Sequence, residues 1–188
     1  MQRCGWCGDK QIYIDYHDQE WGVPLYDDQM LFEFLVLEGA QAGLSWITIL
    51  QKRENYRKAL DNFDAAKVAT YDEHKVEELL SNPGIVRNKL KVNAAITNAK
   101  LFLEIQKESG SFKDYIWQFV DGKPIQNRFK AREDVPATSE RSDEMSRVLK
   151  KRGFKFVGST ICYAFMQATG MVNDHTTDCF RYKEVQDL

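Results

Sequence analysis

Asp27-Asp28-Gln29-Met30-Leu31-Phe32-Glu33-Phe34-Leu35-Val36-Leu37-Glu38 decides the fold class. Asp27 or Asp28 can cap a helix that runs to about Glu38. The run from Met30 onward is apolar on nearly every side of that helix. A helix with no face left for water is buried inside a larger α domain. Working outward, Gly39 and Gly43 break the chain and Ser45 caps a second helix to about Leu60. Its apolar Ile47, Ile49, Leu50 and Tyr56 give way to charge on the other side. Asp64 opens a short helix through Val68, and Asp72 another through Leu80. Asn82-Pro83-Gly84 is a turn signal. A long helix follows from about Arg87 to Lys107, with Leu90, Ala94, Ile96, Leu101 and Ile105 at helical spacing. Ser111-x-x-Asp114 is an approximate capping box for a helix to Val120. Pro124 and Pro136 mark residues 121–140 as a loop. Ser142 caps a helix to Arg152, and a last helix spans Ser159 to Thr169. Residues 1–27 read as irregular and aromatic, and the tail after Lys183 as loose. With no sustained strand alternation and no repeat, the expectation is an all-α chain forming a single domain over residues 1–188.

Composition narrows the class further. The chain has 188 residues, 43% hydrophobic and 29% charged, which excludes disordered and collagen-like chains. No apolar run approaches the ~20 residues of a membrane span. Met1-Gln2-Arg3-Cys4 lacks the apolar core of a secretory signal, so the expected compartment is the cytoplasm. There, Cys4, Cys7, Cys162 and Cys179 favour metal binding or plain packing over disulfides. The net charge of -2 does not announce a polyanion partner, but the distribution is uneven. Residues 1–40 hold 2 basic and 8 acidic side chains. Arg87, Lys89, Lys91 and Lys100 form one stretch without an acid, and Arg147, Lys150, Lys151, Arg152 and Lys155 another. Each is either a phosphate-binding patch or a solvated helix face.

Four constellations could carry chemistry. Cys4, Cys7 and His17 lie near one end, and His175-x3-Cys179 near the other. Two such pairs can hold a tetrahedral zinc. Spacing alone leaves open whether Cys4 pairs with Cys7 or with His17, and whether these residues bind metal at all. Glu38 ends an apolar helix at the negative end of its dipole, so it either points into solvent or awaits a ligand. The carboxylate's hydration favours solvent. Trp6, Tyr13, Tyr16, Trp21 and Trp46 are core side chains or the walls of a site for a planar cation. Asn82-Pro83-Gly84 with Arg87, Lys89 and Lys91 is either a simple corner between helices or a turn aimed at nucleic-acid phosphates.

Several blocks, in order, resemble the DNA-3-methyladenine glycosylase I family of the helix-hairpin-helix superfamily. They are Cys4-Gly5-Trp6, Tyr16-His17-Asp18-x-Glu20-Trp21-Gly22-Val23-Pro24, Leu37-Glu38-Gly39-x-Gln41-Ala42-Gly43-Leu44-Ser45-Trp46-Ile47-Thr48, Lys151 to Gly158, and Val172-Asn173-Asp174-His175. The resemblance runs from Cys4 to about Cys179. It implies a helix-hairpin-helix glycosylase fold, with that motif at about residues 73–107. It also implies a structural zinc on Cys4, His17, His175 and Cys179, joining segments 1–27 and 171–183. Cys7 lies outside the family pattern.

The resemblance implies a base pocket at Glu38, Tyr16 and Trp46, walled by Trp6, Tyr13 and Trp21, with Glu38 as the catalytic residue. The implied activity is base-excision repair. The enzyme flips out and hydrolytically releases 3-methyladenine from alkylated double-stranded DNA, without a lyase step, as a monomer with no membrane partner. Free 3-methyladenine is the product, and activity on 3-methylguanine is left open. Glycosylases of this superfamily usually carry an Asp after the hairpin. Arg87 to Lys100 holds none, which suits a substrate whose leaving group is already good. Gly84, Arg87, Lys89 and Lys91 are then DNA-backbone contacts. Leu44, after Gly43, either wedges into the gap left by the flipped nucleotide or is a core leucine. A DNA-binding zinc module without activity and a zinc hydrolase are the competing classes. Four protein ligands and the lack of an HExxH motif argue against the hydrolase.

Overall fold

The computed structural model describes residues 1–188. Ten α-helices follow one another: α1 (Gln11–Gln19), α2 (Asp28–Gln41), α3 (Trp46–Ala59), α4 (Ala65–Val68), α5 (Glu73–Ser81), α6 (Lys89–Ser109), α7 (Phe112–Ile116), α8 (Glu140–Arg152), α9 (Ser159–Ala168) and α10 (Arg181–Glu184). No helix is long and apolar enough to cross a membrane.

The largely apolar α2 is the central element, packed against α3, α6, α7 and α9. Leu31, Phe32 and Leu37 are fully buried. Each such side chain contributes about 1.5–3 kcal/mol relative to exposure. Phe32 meets Phe102 of α6 at 5.1 Å, and Phe102 stacks on Phe112 at 4.3 Å. Both aspartates at the start of α2 act, on different helices. Asp27 accepts from the Met30 amide at 2.9 Å and caps α2. Asp28 accepts from the amides of Phe112 and Lys113 at 2.8 and 2.7 Å, satisfying donors at the start of α7.

Several boundaries differ from the sequence reading, each for a local reason. Residues 11–19 form a helix where irregular chain is expected; its N-terminal residue Lys10 makes no side-chain cap, so no start signal is written there. Gly39 does not break α2, which continues to Gln41. The long helix begins at Lys89 instead of Arg87, because Asn88 caps it by accepting from the Lys91 amide. The helix after the loop begins at Glu140, held by the reciprocal box of Ser139 and Ser142. Leu90, expected at a core position, is 71% exposed.

The loop 121–140 contains a two-residue strand, β1 (Ile125–Gln126). It pairs in parallel with β2 (Val172–Asn173), Ile125 opposite Val172. The tail after Lys183 is also ordered: a 3-10 turn follows α10 and Val185 is buried.

Gly170 turns the chain after α9 with φ +69, where a Cβ would lie 2.3 Å from the Val23 carbonyl carbon. Both the left-handed backbone and that contact exclude a side chain. Gly170→Ala is expected to lower the melting temperature by more than about 5 °C, or to abolish soluble expression; thermal denaturation followed by circular dichroism checks this.

Candidate active site and metal centre

Four side chains from opposite ends of the chain converge. The ligating atoms of Cys4, His17, His175 and Cys179 all lie within 4.8 Å of one another, and all four residues are buried. Cys4 Sγ is 3.5 Å from His175 Nδ1, and Cys179 Sγ is 3.4 Å from His17 Nε2 and 3.6 Å from His175 Nδ1. Metal–ligand bonds of about 2.0–2.3 Å in a tetrahedron give ligand separations of roughly 3.3–3.8 Å, so the donors fit one ion.

The outer nitrogens are held as a metal site requires. His17 Nδ1 lies 2.7 Å from Asp18 Oδ1, and His175 Nε2 lies 2.9 Å from the Trp21 carbonyl oxygen. Hydrogen bonds from Arg3 hold the Asp18 carboxyl down to about 2, so it stands ionised beside the imidazole. Gly22, at φ +80, lets the His175 ring close on the backbone; a Cβ there would meet Nε2 at 2.9 Å. Cys7 is buried but stands outside the cluster.

Beside the cluster opens a cavity of about 500 Å³. Trp6, Tyr13, Tyr16, Trp21, Glu38 and Trp46 all line it, so all six residues of the expected pocket meet in one place. Trp6 sits edge-on to Trp21 at 4.9 Å and to Tyr13 at 5.6 Å, and Tyr16 lies 5.5 Å from Trp46. The Tyr13 hydroxyl accepts from the Ile47 amide at 3.0 Å. It thereby satisfies a donor at the start of α3 that Ser45, the residue in the cap position, leaves unbonded. Trp46, the first residue of α3, is positioned by that contact.

Glu38 lines this cavity and is only 4% exposed, against the solvent-facing position that its residue type favours. Burial alone pushes its carboxyl up to about 8. The indole nitrogens of Trp6 and Trp46 are likewise buried without a hydrogen-bond partner. Burial and the Glu38 charge both raise the Tyr16 phenol. Glu33, one turn and a half earlier on α2, is equally buried but fully paired, with Arg53 at 2.5 Å and Arg57 at 2.9 Å. The same helix thus carries one neutralised acid and one left without a partner.

The remaining lining was not assigned from sequence. Gln41 and Ser45 flank the helix break. Arg132, Val135 and Pro136 come from the loop before α8, and Gln167, Asp174 and Thr176 from the C-terminal end. Asp174 accepts from Tyr163, Asn127 and Gln167 at 2.7–2.8 Å. Its one sequence signal is its place beside His175.

Gly43 has φ +77 and Leu44 is 41% exposed, so Leu44 is not a core leucine. Between α5 and α6, the Gly84 amide donates to Asn82 Oδ1 at 2.8 Å in an Asx turn. Lys52 of α3 donates to the Pro83 carbonyl and the Val86 amide donates to the Tyr56 hydroxyl. Arg87 and Lys89 are exposed. Lys91 differs from them: its ammonium donates to the carbonyls of Ala40 and Ala42 at 2.7 and 2.6 Å. In the second basic stretch, Arg152 is paired with Glu108.

The Glu38 environment has a thermodynamic signature. Its carboxyl ionises at about 8 when folded and near its ordinary 4.5 when unfolded. Between those values the folded state holds the extra proton, so stability falls as pH rises from about 4.5 to 8. Glu38→Gln removes that dependence. The variant is expected to match the wild type near pH 5 and to melt about 10 °C higher at pH 8, in line with roughly 4 kcal/mol. Equal melting temperatures at pH 8 would mean that the carboxyl is solvated.

The methyladenine glycosylase family matches residues 6–182. DNA-3-methyladenine glycosylase 1 of Escherichia coli K12 is 50% identical over 182 residues, 97% of each chain. A crystal structure of 3-methyladenine DNA glycosylase I superimposes with a TM-score of 0.93 at 51% identity, covering 95% of this chain and 98% of that one. A variant of 3-methyladenine DNA glycosylase I solved in complex with 3-methyladenine gives a TM-score of 0.93 at 36% identity, covering 96% and 97%. With half its residues shared over nearly its whole length, and with the same fold, the chain belongs to the methyladenine glycosylase family.

Proposed function

We propose that the chain is a DNA glycosylase that releases 3-methyladenine from alkylated double-stranded DNA by hydrolysis, with no lyase step. The observation that carries this reading is a buried, unpartnered carboxyl facing an aromatic cavity large enough for a nucleobase. Adenine methylated at N3 is a cation while attached to the sugar. Trp46 and Tyr16 favour a cation over their ring faces. Glu38 is an acceptor for the donors of the purine amine edge and a counter-charge to the ring. Neutral adenine receives neither advantage.

The reaction needs little else. When the bond from C1′ to N9 breaks, its electron pair enters the cationic purine, which leaves neutral. Water adds at C1′ and releases a proton to solvent. No acid has to protonate the leaving base, which agrees with the absence of Asp from α6. Flipping costs a few kcal/mol and is easiest at a damaged base. Gly43 and Leu44, exposed beside the pocket, are placed to fill the gap. The unit α5–turn–α6 acts as the helix-hairpin-helix, Gly84, Arg87 and Lys89 meeting the backbone without reading sequence. The chain acts as one domain and as a monomer, in the cytoplasm.

The metal in this reading is zinc, which suits two thiolates and two imidazoles and holds the two chain ends together. Four protein ligands leave no position for a reacting water, so its role is structural. Metal analysis of the purified protein is expected to give one zinc per chain, kept in Cys7→Ser and lost in His17→Ala. The reverse pattern would overturn the ligand set.

The pocket also sets a pH dependence. The free enzyme's Glu38 is protonated below about 8, and a cationic base favours its ionised form. Over the one or two pH units below that value kcat/KM on 3-methyladenine DNA is expected to rise about tenfold per unit, levelling above it and at the acid end. Glu38→Gln should flatten the profile and lower kcat/KM roughly ten- to a hundredfold at pH 8. Single-turnover base release, followed by chromatography, tests the reading at its root. DNA binding by the wild type without release of free base would leave only a zinc-containing DNA-binding module.

A further inference from the structure

Helix α2 ends at Gln41, and the backbone carbonyls of its last turn need partners. They are all accounted for. The Gly39 carbonyl accepts from the Ala42 amide and the Gln41 carbonyl from the Leu44 amide. The carbonyls of Ala40 and Ala42 accept from one group, the ammonium of Lys91, at 2.7 and 2.6 Å. Ala42 and Gly43 are the residues that turn the chain out of α2, with Gly43 at φ +77, and Leu44 follows them half exposed. Lys91 stands 49 residues away in sequence, in the first turn of α6 directly after the Asn82–Asn88 turn. It lines a small apolar pocket together with Val36, Ala40, Tyr56 and Val92, and burial lowers its pKa. Its neighbours Arg87 and Lys89 are exposed, Lys89 in a long, solvent-facing pair with Glu73 of α5 at 4.0 Å.

We infer that Lys91 is a positioning residue, which fixes the Ala42–Leu44 turn in the form that invades the DNA stack and ties it to the element that meets the DNA backbone. The inference rests on the glycosylase reading above. A flexible Ala42–Leu44 turn would have to be ordered each time a nucleotide is flipped. A turn whose carbonyls are already clamped meets the duplex in its final shape. One ammonium on two carbonyls also fixes the distance between the Leu44 turn and the start of α6. A phosphate docked at Arg87 and Lys89 therefore stands at a set spacing from the wedge. The same group cannot serve as a phosphate contact while both acceptors hold it.

Lys91→Met keeps the apolar stem and removes the donors. On undamaged duplex DNA its binding is expected to show the wild-type slope of log K against log salt; a phosphate contact would cost about 0.9 of that slope. Titration with free 3-methyladenine, followed by tryptophan fluorescence, should agree with the wild type within twofold. Single-turnover excision from duplex DNA should fall ten- to a hundredfold, and amide hydrogen exchange at Leu44, which donates to the Gln41 carbonyl, should quicken. Because Leu44 acts through the turn that Lys91 holds, Leu44→Ala in the Lys91→Met background should add little to either single loss.

A slope reduced by about 0.9, excision within twofold of wild type, or independent multiplication of the two losses would each overturn the assignment. Lys91→Gln, which keeps an amide donor, carries the same comparisons if the methionine variant does not fold, and is expected to fall between it and the wild type. Wild-type enzyme on the same DNA is the reference. If it excises nothing, the glycosylase reading fails; if it excises and Lys91→Met does so equally, only the role of Lys91 fails.

Discussion

The pocket depends on the meeting of Cys4, His17, His175 and Cys179. Trp6, Tyr13, Tyr16 and Trp21 surround the first two of these residues in sequence, and Asp174 and Thr176 flank the third. All six line the cavity beside the cluster. Bringing chain ends more than 150 residues apart together costs loop entropy, and the two end segments have few fully buried apolar side chains to offset it. Two sulfurs and two ring nitrogens at ligand separations do offset it when an ion joins them, since metal affinity is then folding free energy. The surrounding hydrogen bonds follow the same logic. Arg3 fixes Asp18, Asp18 fixes His17, and the Trp21 carbonyl fixes His175. The aromatic walls are thus positioned by the backbone that carries the ligands.

Against this well-paired frame, the groups left unpaired stand out. Glu33 and Glu38 sit on one helix, both about 5% exposed or less. Arg53 and Arg57 satisfy Glu33. Glu38 has no such basic partner, and burial alone shifts it; the indole N–H groups of Trp6 and Trp46 are buried without an acceptor. Burial raises the free energy of the ionised Glu38 carboxylate, and a planar cation with hydrogen-bond donors would lower it. On the proposed reading, the substrate charge displaces the proton, which turns a stability cost into selectivity.

The helices that carry a strong signal were legible: α2 by apolar side chains on nearly every side, α6 by its spacing, α5 by Asp72. Helix α1 was not, because Lys10 provides no cap and the helix buries only Tyr16 and His17. The ligand pairs could be seen as pairs, but Cys7 and His17 are both within reach of Cys4 in sequence. Only the fold separates them, leaving Cys7 outside the cluster. Glu38 shows the limit most plainly. Residue type sends a carboxylate to solvent, and what reverses this is the packing of α9 and the N-terminal aromatics around α2, none of it local. The Arg132–Pro136 part of the cavity wall was equally hidden. It arrives there because β1 pairs with β2 and the Thr177 amide donates to the Phe129 carbonyl, contacts that span some fifty residues. For Lys91, a basic run predicted charge but could not say that one of its members would turn inward.

These contacts also place the cavity and the Asn82–Asn88 turn, which the glycosylase reading makes the recognition and docking elements, on one frame. Glu38 and Leu44 are six residues apart, on the end of α2 and the turn leaving it. Trp46 begins α3, and the same helix holds the Asn82–Asn88 turn through Lys52 and Tyr56. Lys91 closes the third side, from α6 to the end of α2. Two helices and one ammonium therefore fix the aromatic cavity, the exposed leucine and the Asn82–Asn88 turn relative to one another. A frame of that kind has little freedom to close around a substrate. On the glycosylase reading, the duplex must supply the deformation, and the nucleotide that leaves its stack most readily and arrives carrying a charge is the one the pocket retains. Selection then rests on the lesion's own weakness and charge, and a strong catalytic acid, which would also act on undamaged purines, would only erode it.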